Sequence, residues 1–187
     1  MKIVFIRHGE PDYSYVAYKG FIGHGIDLAH LTNEGEKQAR KAAENSKLNG
    51  IELILSSPYT RALQTAAIIS RHRNIEIKIE LDLHEWLPDL TYTFSTEDAV
   101  IQAVELLISN KGLCPANSYV QYEELSGVFE RANKCLLKYV SYDKIAVVAH
   151  STLIRQFNYN KRLPFCGISE VEYDENYQWC GWVDSII

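Results

Sequence analysis

Short apolar, β-branched runs at Ile3–Ile6, Leu53–Leu55 and Ile145–Ala149 are each followed by a few polar residues and then by apolar positions at helical spacing. A strand-then-helix alternation that recurs in this way predicts a mostly parallel sheet with helices on both faces. The expected fold class is therefore α/β, a three-layer αβα sandwich. A weaker run, Ile75–Ile79, alternates apolar and charged residues as a strand near a sheet edge would. Helix starts are marked by their chemistry. Thr32 is an N-cap candidate with Glu34 in the first turn and Ala39, Ala42 and Ala43 following at helical spacing. Ser57-Pro58 reads as an N-cap with proline at the first helical position, opening a helix through Arg61, Ala62, Thr65, Ala66 and Ile69. Ser151 reads as the cap of a third helix through Leu153, Ile154 and Phe157. Two further helices are expected over 96–109 and 124–140, and a hairpin over 169–187 turning at Asp174-Glu175-Asn176. The segment Glu10–His30, with glycines at 20, 23 and 25, shows neither period and reads as an ordered surface loop.

The chain has 187 residues, 47% hydrophobic and 23% charged, enough for one globular domain over 1–187 with its own core. Its net charge of -5, with both signs interleaved, offers no basic face for a nucleic-acid backbone or an anionic membrane. A small-molecule partner is the expectation. The first apolar run ends at Arg7-His8, too soon for a secretion signal, and no stretch approaches the roughly 18 apolar residues of a membrane span, so a cytoplasmic location is expected. Cys114, Cys135, Cys166 and Cys180 are scattered without a C-x-x-C pair, which points to reduced thiols and not to zinc ligands.

Ligands of open parallel sheets bind beyond the carboxyl ends of the strands. Those ends carry Arg7-His8-Gly9-Glu10, then Ser56-Ser57-Pro58 leading to Arg61, and Ala149-His150-Ser151. Arg7 and Arg61 suit a phosphate dianion, since guanidinium forks bind its oxygens bidentately. A helix beginning at Ser151 would add oriented N–H groups. A neutral imidazole at His8 can then attack phosphorus directly, without a metal-activated water, and Gly9 would let backbone approach the anion. Arg61 has a plainer alternative, an ion pair with Glu34 or Glu36. His24, Asp27 and His30 match no standard metal-ligand spacing and read as solvated loop residues, so no metal site is expected. Tyr13, Tyr15, Tyr18, Trp86 and Tyr92 either line a pocket for a ring-bearing leaving group or simply pack the loops. Trp179 and Trp182 read as packing or oligomer contacts.

The ordered set Arg7-His8-Gly9-Glu10, Leu31-Thr32 with Gly35 and Gln38-Ala39, Ser56-Ser57-Pro58 with Arg61-Ala62 and Gln64-Thr65-Ala66, and Val148-Ala149-His150 with Ile154-Arg155 resembles the histidine phosphatase superfamily, in its phosphoglycerate-mutase-like branch. The resemblance runs over positions 3 to 157. It implies that His8 is phosphorylated, that Arg7, Arg61 and His150 clamp the phosphoryl oxygens, and that a carboxylic acid protonates the leaving group, with no cofactor. Leu83-His84-Glu85 matches the family's acid pattern, making Glu85 the candidate, with Asp82 and Asp89 as alternatives. The chain departs from the family at Pro11 and Ser151. It also lacks an asparagine phosphate ligand after Pro11, for which Tyr13, Ser14 or Tyr15 are stand-ins. It lacks the longer arginine-rich insertion of the mutases, so the resemblance ranks a phosphatase of a small phosphomonoester above a mutase or a non-catalytic phosphate binder on the same fold.

Overall fold

The structure is a computed structural model, described for residues 1–94, 96–159 and 163–182. Its centre is a five-stranded sheet of β1 (Lys2–Arg7), β2 (Leu53–Ser56), β3 (Ile77–Ile79), β4 (Lys144–Ala149) and β5 (Ile168–Glu172), in the order β3-β2-β4-β1-β5. The first four strands are parallel and β5 runs antiparallel to β1, so the expected mostly parallel sheet is present with one reversed edge.

Strand alternation sorts the core into two layers. Ile3, Phe5, Leu53, Leu55, Ile145, Val147 and Ala149 face one side. There they meet α4 (Glu97–Ser109), α5 (Leu125–Leu137) and α6 (Ser151–Arg155) through Ala103, Leu107, Val128, Leu136, Leu153 and Ile154. Val4, Ile6, Ile54, Ala146 and Val148 face the other side, covered by α2 (Asn33–Ala43) and α3 (Thr60–Arg73) through Ala43, Ala62, Ala66 and Ile69. Both faces of each central strand are thus buried, which is why their sequences read as continuous apolar runs and not as alternations.

Local chemistry sets the helix ends. Thr32 caps α2 by accepting from the Gly35 N–H at 2.9 Å, and Thr96 caps α4 from Ala99 at 3.3 Å. Asn74 closes α3 in the left-handed region, at φ 55°, a conformation that asparagine tolerates. Two expected starts move. The helix after Ser57-Pro58 begins only at Thr60, with Tyr59 as N-cap, although Ser57 Oγ does accept from the Tyr59 N–H. His150, not Ser151, occupies the cap position of α6, and that helix ends at Arg155, short of Phe157.

The segment from Glu10 to His30 is not a bare loop: it holds α1 (Tyr13–Tyr18), capped by Asp12, and a 3₁₀ helix over Gly23–Leu28. The expected C-terminal hairpin does not form within the described residues. Ile168–Glu172 pairs with β1 instead, because β1 would otherwise present an unpaired edge. The Asp174–Asn176 turn exists, closed by the Tyr177 N–H on the Asp174 carbonyl at 3.1 Å, but no strand follows it up to residue 182, and residues 183–187 lie outside the described residues. The four cysteines are free thiols. Among the described residues no helix is long and apolar enough to cross a membrane.

Candidate active site

β1 and β4 are neighbours in parallel register, Arg7 opposite Ala149, so the residues after them leave the sheet side by side. His8 donates its N–H to the Ala149 carbonyl at 3.0 Å, and the His8 and His150 rings lie 5.1 Å apart. Arg61 comes from the first turn of α3 beyond β2. Glu85 follows the turn after β3. The parallel topology therefore gathers one end of four strands into a cleft of about 390 Å³, lined by Arg7, His8, Tyr13, Arg61, Glu85 and Ser151 among others.

His8 is 5% exposed, and its Nδ1 lies 2.7 Å from the Gly9 carbonyl oxygen. A carbonyl can only accept, so Nδ1 carries the proton and Nε2 keeps the lone pair. Burial, with the positive charges of Arg61 and Arg7 acting in the same sense against the Gly9 hydrogen bond, lowers its pKa to about 3. The ring is thus a neutral base across the whole physiological range. Gly9 is held by a bond from its N–H to Thr65 Oγ1 at 3.0 Å, and Thr65 in turn donates to the Arg61 carbonyl at 2.8 Å. Glycine at position 9 also has a packing reason: a Cβ there would sit 2.6 Å from the Gly35 carbonyl oxygen, so backbone approaches α2 closely here.

The two arginines are held from behind. Arg7 donates to the Leu163 carbonyl at 2.6 Å and its guanidinium lies 4.2 Å from the centre of the Phe165 ring. Arg61 pairs with Asp27, Nη1 to Oδ1 at 3.0 Å, and its guanidinium sits 5.1 Å from the Tyr59 ring centre. The alternative partners do not apply, since Glu36 pairs with Arg40 and Glu34 with Lys37. Asp27 also accepts from His24 Nδ1 at 3.0 Å, which corrects the reading of His24 and Asp27 as solvated residues. His30 does not join them; its ring meets Tyr15. Among the described residues no three His, Cys, Asp or Glu side chains converge as metal ligands.

Glu85 accepts from the Trp86 N–H at 2.9 Å and from the Thr152 and Leu153 N–H groups at 3.2 and 3.3 Å. The N–H groups at the start of α6, expected to face an anionic ligand, thus serve this carboxyl. Burial raises its pKa, against the opposing pull of those N–H groups and of Arg61 and Arg131. The alternative acids are elsewhere. Asp89 is buried and accepts from the N–H groups of Thr91, Thr93 and Phe94, and Asp82 is not on the cleft wall.

His150 is fully buried and stands behind the cleft wall, with Nε2 2.7 Å from Ser57 Oγ; burial and the nearby Arg61 hold its pKa well below the ordinary value. Of the three stand-ins for asparagine, Tyr13 lines the cleft, 6.0 Å from the Arg61 guanidinium, whereas Ser14 bonds to Asp12 at the surface and Tyr15 is half exposed. Trp86 lines the cleft, Tyr92 packs on His24, and Tyr18 is exposed. Trp179 packs as expected, stacked on Phe129, but Trp182 lines the cleft. Asp27 and Phe165 are the supports missed at the sequence level. Neither sits in a local pattern that could have marked it.

A model of the histidine phosphatase superfamily (branch 1) matches residues 3–179. Over 86 residues the chain is 40% identical to the 2,3-bisphosphoglycerate-dependent phosphoglycerate mutase of Thermoplasma acidophilum, covering 46% of this chain and 42% of that one. Over 92 residues it is 29% identical to phosphoserine phosphatase 1 of Hydrogenobacter thermophilus, covering 46% and 41%. It therefore matches less than half the length of either curated relative. The solved structure of a mycobacterial glucosyl-3-phosphoglycerate phosphatase with VO3 superposes with a TM-score of 0.71 over 99% of this chain and 94% of that chain, at 18% identity, a likeness of fold. With the family model spanning β1 to the segment beyond β5, the chain belongs to branch 1 of the histidine phosphatase superfamily.

Proposed function

We propose that the protein is a metal-independent phosphatase that hydrolyses a small phosphomonoester through a phosphohistidine on His8. The observation that carries the reading is one cleft that presents a neutral, tautomer-fixed imidazole, two guanidinium groups and a half-buried carboxyl with a raised pKa. In the first step the Nε2 lone pair forms a bond to phosphorus as the ester oxygen leaves, taking a proton from Glu85. In the second, water attacks the phosphohistidine and gives its proton to the Glu85 carboxylate; the P–N bond breaks and returns its electron pair to Nε2. Arg7 and Arg61 hold the phosphoryl oxygens and offset the charge on them throughout. His150 sits beside the His8 ring and adds a polar nitrogen at the back of the site. Tyr13 and Ser151 contact the substrate in this reading, which their position on the cleft wall supports.

The test is phosphate release from a panel of phosphomonoesters with chelator present. Wild type should turn over at least one ester and His8→Ala should lose about a thousandfold or more; equal release by both removes His8 as nucleophile. Because the Glu85 pKa is raised, its acid form persists to higher pH, and the rate should fall as pH rises through that pKa. Glu85→Gln should lower kcat by about a hundredfold or more and abolish that alkaline limb. The 40% match to a mutase favours a second reading, in which the phosphoryl group returns to another hydroxyl of the same substrate. Isomerisation of a phosphoglycerate without net phosphate release would establish it.

A further inference from the structure

We infer, resting on the phosphatase reading, that the leaving group is an apolar, ring-sized alcohol and not a small polyhydroxy or amino acid. Most polar side chains on the cleft wall, Arg7, His8, Arg61, Glu85, Ser151 and Thr152, belong to the strand ends and to α3 and α6, where the phosphoryl group would sit, with Tyr13 of α1 beside them. The far wall differs in kind. It consists of Trp86, Val104, Leu107, Ile108, Leu125 and Trp182. Val104, Leu107 and Ile108 follow the i, i+3, i+4 spacing and so share one face of α4. Val104 and Ile108 are only partly buried, leaving apolar surface for a ligand to cover. The polar handle of Trp86 is already used, since its Nε1 donates to the Glu123 carbonyl at 2.6 Å.

Beside this wall a second pocket of about 200 Å³ shares Arg61, Glu85, Trp86 and Val104 with the cleft and continues it with Tyr59, Phe94 and Val100; the charged residues on its lining, His24 and Asp27, are paired with each other, and Asp27 also with Arg61. Hydroxyl or ammonium groups pressed against such a wall lose their water without gaining partners, a penalty that an apolar group avoids. A ring placed there removes apolar area from water on both partners. Arg155 also lines the cleft and does not change the apolar face of α4.

The experiment compares kcat/KM for 2-phenylethyl phosphate and glycerol 1-phosphate, both primary alkyl esters with leaving alcohols of similar basicity, in wild type, Ile108→Asp and Val104→Ala. Burial of one ring should favour the phenylethyl ester by about tenfold to a hundredfold in wild type. Ile108→Asp should cut that preference by about tenfold or more and Val104→Ala by a smaller factor, with inhibition by vanadate unchanged in both as the check that the phosphoryl site is intact. A wild-type preference near or below one, with p-nitrophenyl phosphate turned over, overturns the inference and leaves the phosphatase reading standing. So does a preference that neither variant alters. No release from any of the three esters overturns both.

Discussion

At the scale of single residues, the orientation of Arg61 on the cleft wall is set by a side chain that does not line the cleft. Arg61 is 6% exposed at its side chain and Asp27 20%, so their 3.0 Å contact is a partly dry ion pair that fixes one edge of the guanidinium and leaves the rest of the fork to a ligand. Two effects oppose each other on removing Asp27. The loss of a negative charge favours an anionic substrate, while the loss of the acceptor frees Arg61 to turn. For a bidentate contact, orientation wins, because catalysis is sensitive to displacements of about 1 Å. Asp27→Asn, which keeps an acceptor oxygen, should hold kcat within about threefold, and Asp27→Ala should lower it by about tenfold. Identical steady-state constants for the two variants would show that charge and not orientation is what Asp27 supplies. This residue is conspicuous in the sequence only as one of His24, Asp27 and His30, a set that suggested nothing but a poor metal site. Its partner lies 34 positions away, and no local pattern encodes that distance.

At the scale of elements, the start of α2 and the end of β1 are fitted backbone against backbone. A Cβ on Gly35 would lie 2.3 Å from the Glu10 carbonyl oxygen and 2.9 Å from its nitrogen. Helix propensity favours alanine over glycine by about 1 kcal/mol, yet here both clashing atoms are main chain and cannot swing away. Overpacking should therefore win. Gly35→Ala is expected to destabilise the protein by about 1–3 kcal/mol, seen as a lowered Tm, and to reduce turnover by shifting the His8-Gly9-Glu10 run. A raised Tm would mean that the loop relaxes freely and that α2 does not position His8, the proposed nucleophile. Among the helices, α2 begins where Thr32 predicts, and α4 forms within the expected 96–109 with Thr96 as its cap, because a side chain accepting an N–H three residues on is a local interaction. Those at Ser57-Pro58 and Ser151 shift because tertiary demands intervene: Ser57 meets His150, and the free N–H groups of α6 go to Glu85.

At the scale of the whole molecule, a buried histidine makes stability depend on pH. His8 has its pKa lowered to about 3 in the folded state, whereas the unfolded chain takes up a proton near 6.5. Between those values the unfolded state binds more protons, so this residue adds no penalty above about pH 6.5 and destabilises progressively as pH falls towards 3. From pH 7 to pH 5 its share should be about 2 kcal/mol. Urea unfolding at the two pH values should show wild type losing that much more stability than His8→Asn; equal losses would place the His8 ring in contact with water. The parallel strands, the helices that cover them and the positions of Arg7, His8, Arg61, Glu85 and His150 were legible in the sequence, because continuous apolar runs, caps and an ordered set of motifs are one-dimensional signals. Tertiary structure alone decided that β5 completes the β1 edge in place of a hairpin, that Asp27 holds Arg61, and that α4, α5 and Trp182 wall the cleft. Each of these is a pairing between distant segments, selected by which edges, charges and apolar faces the assembled sheet leaves to be satisfied.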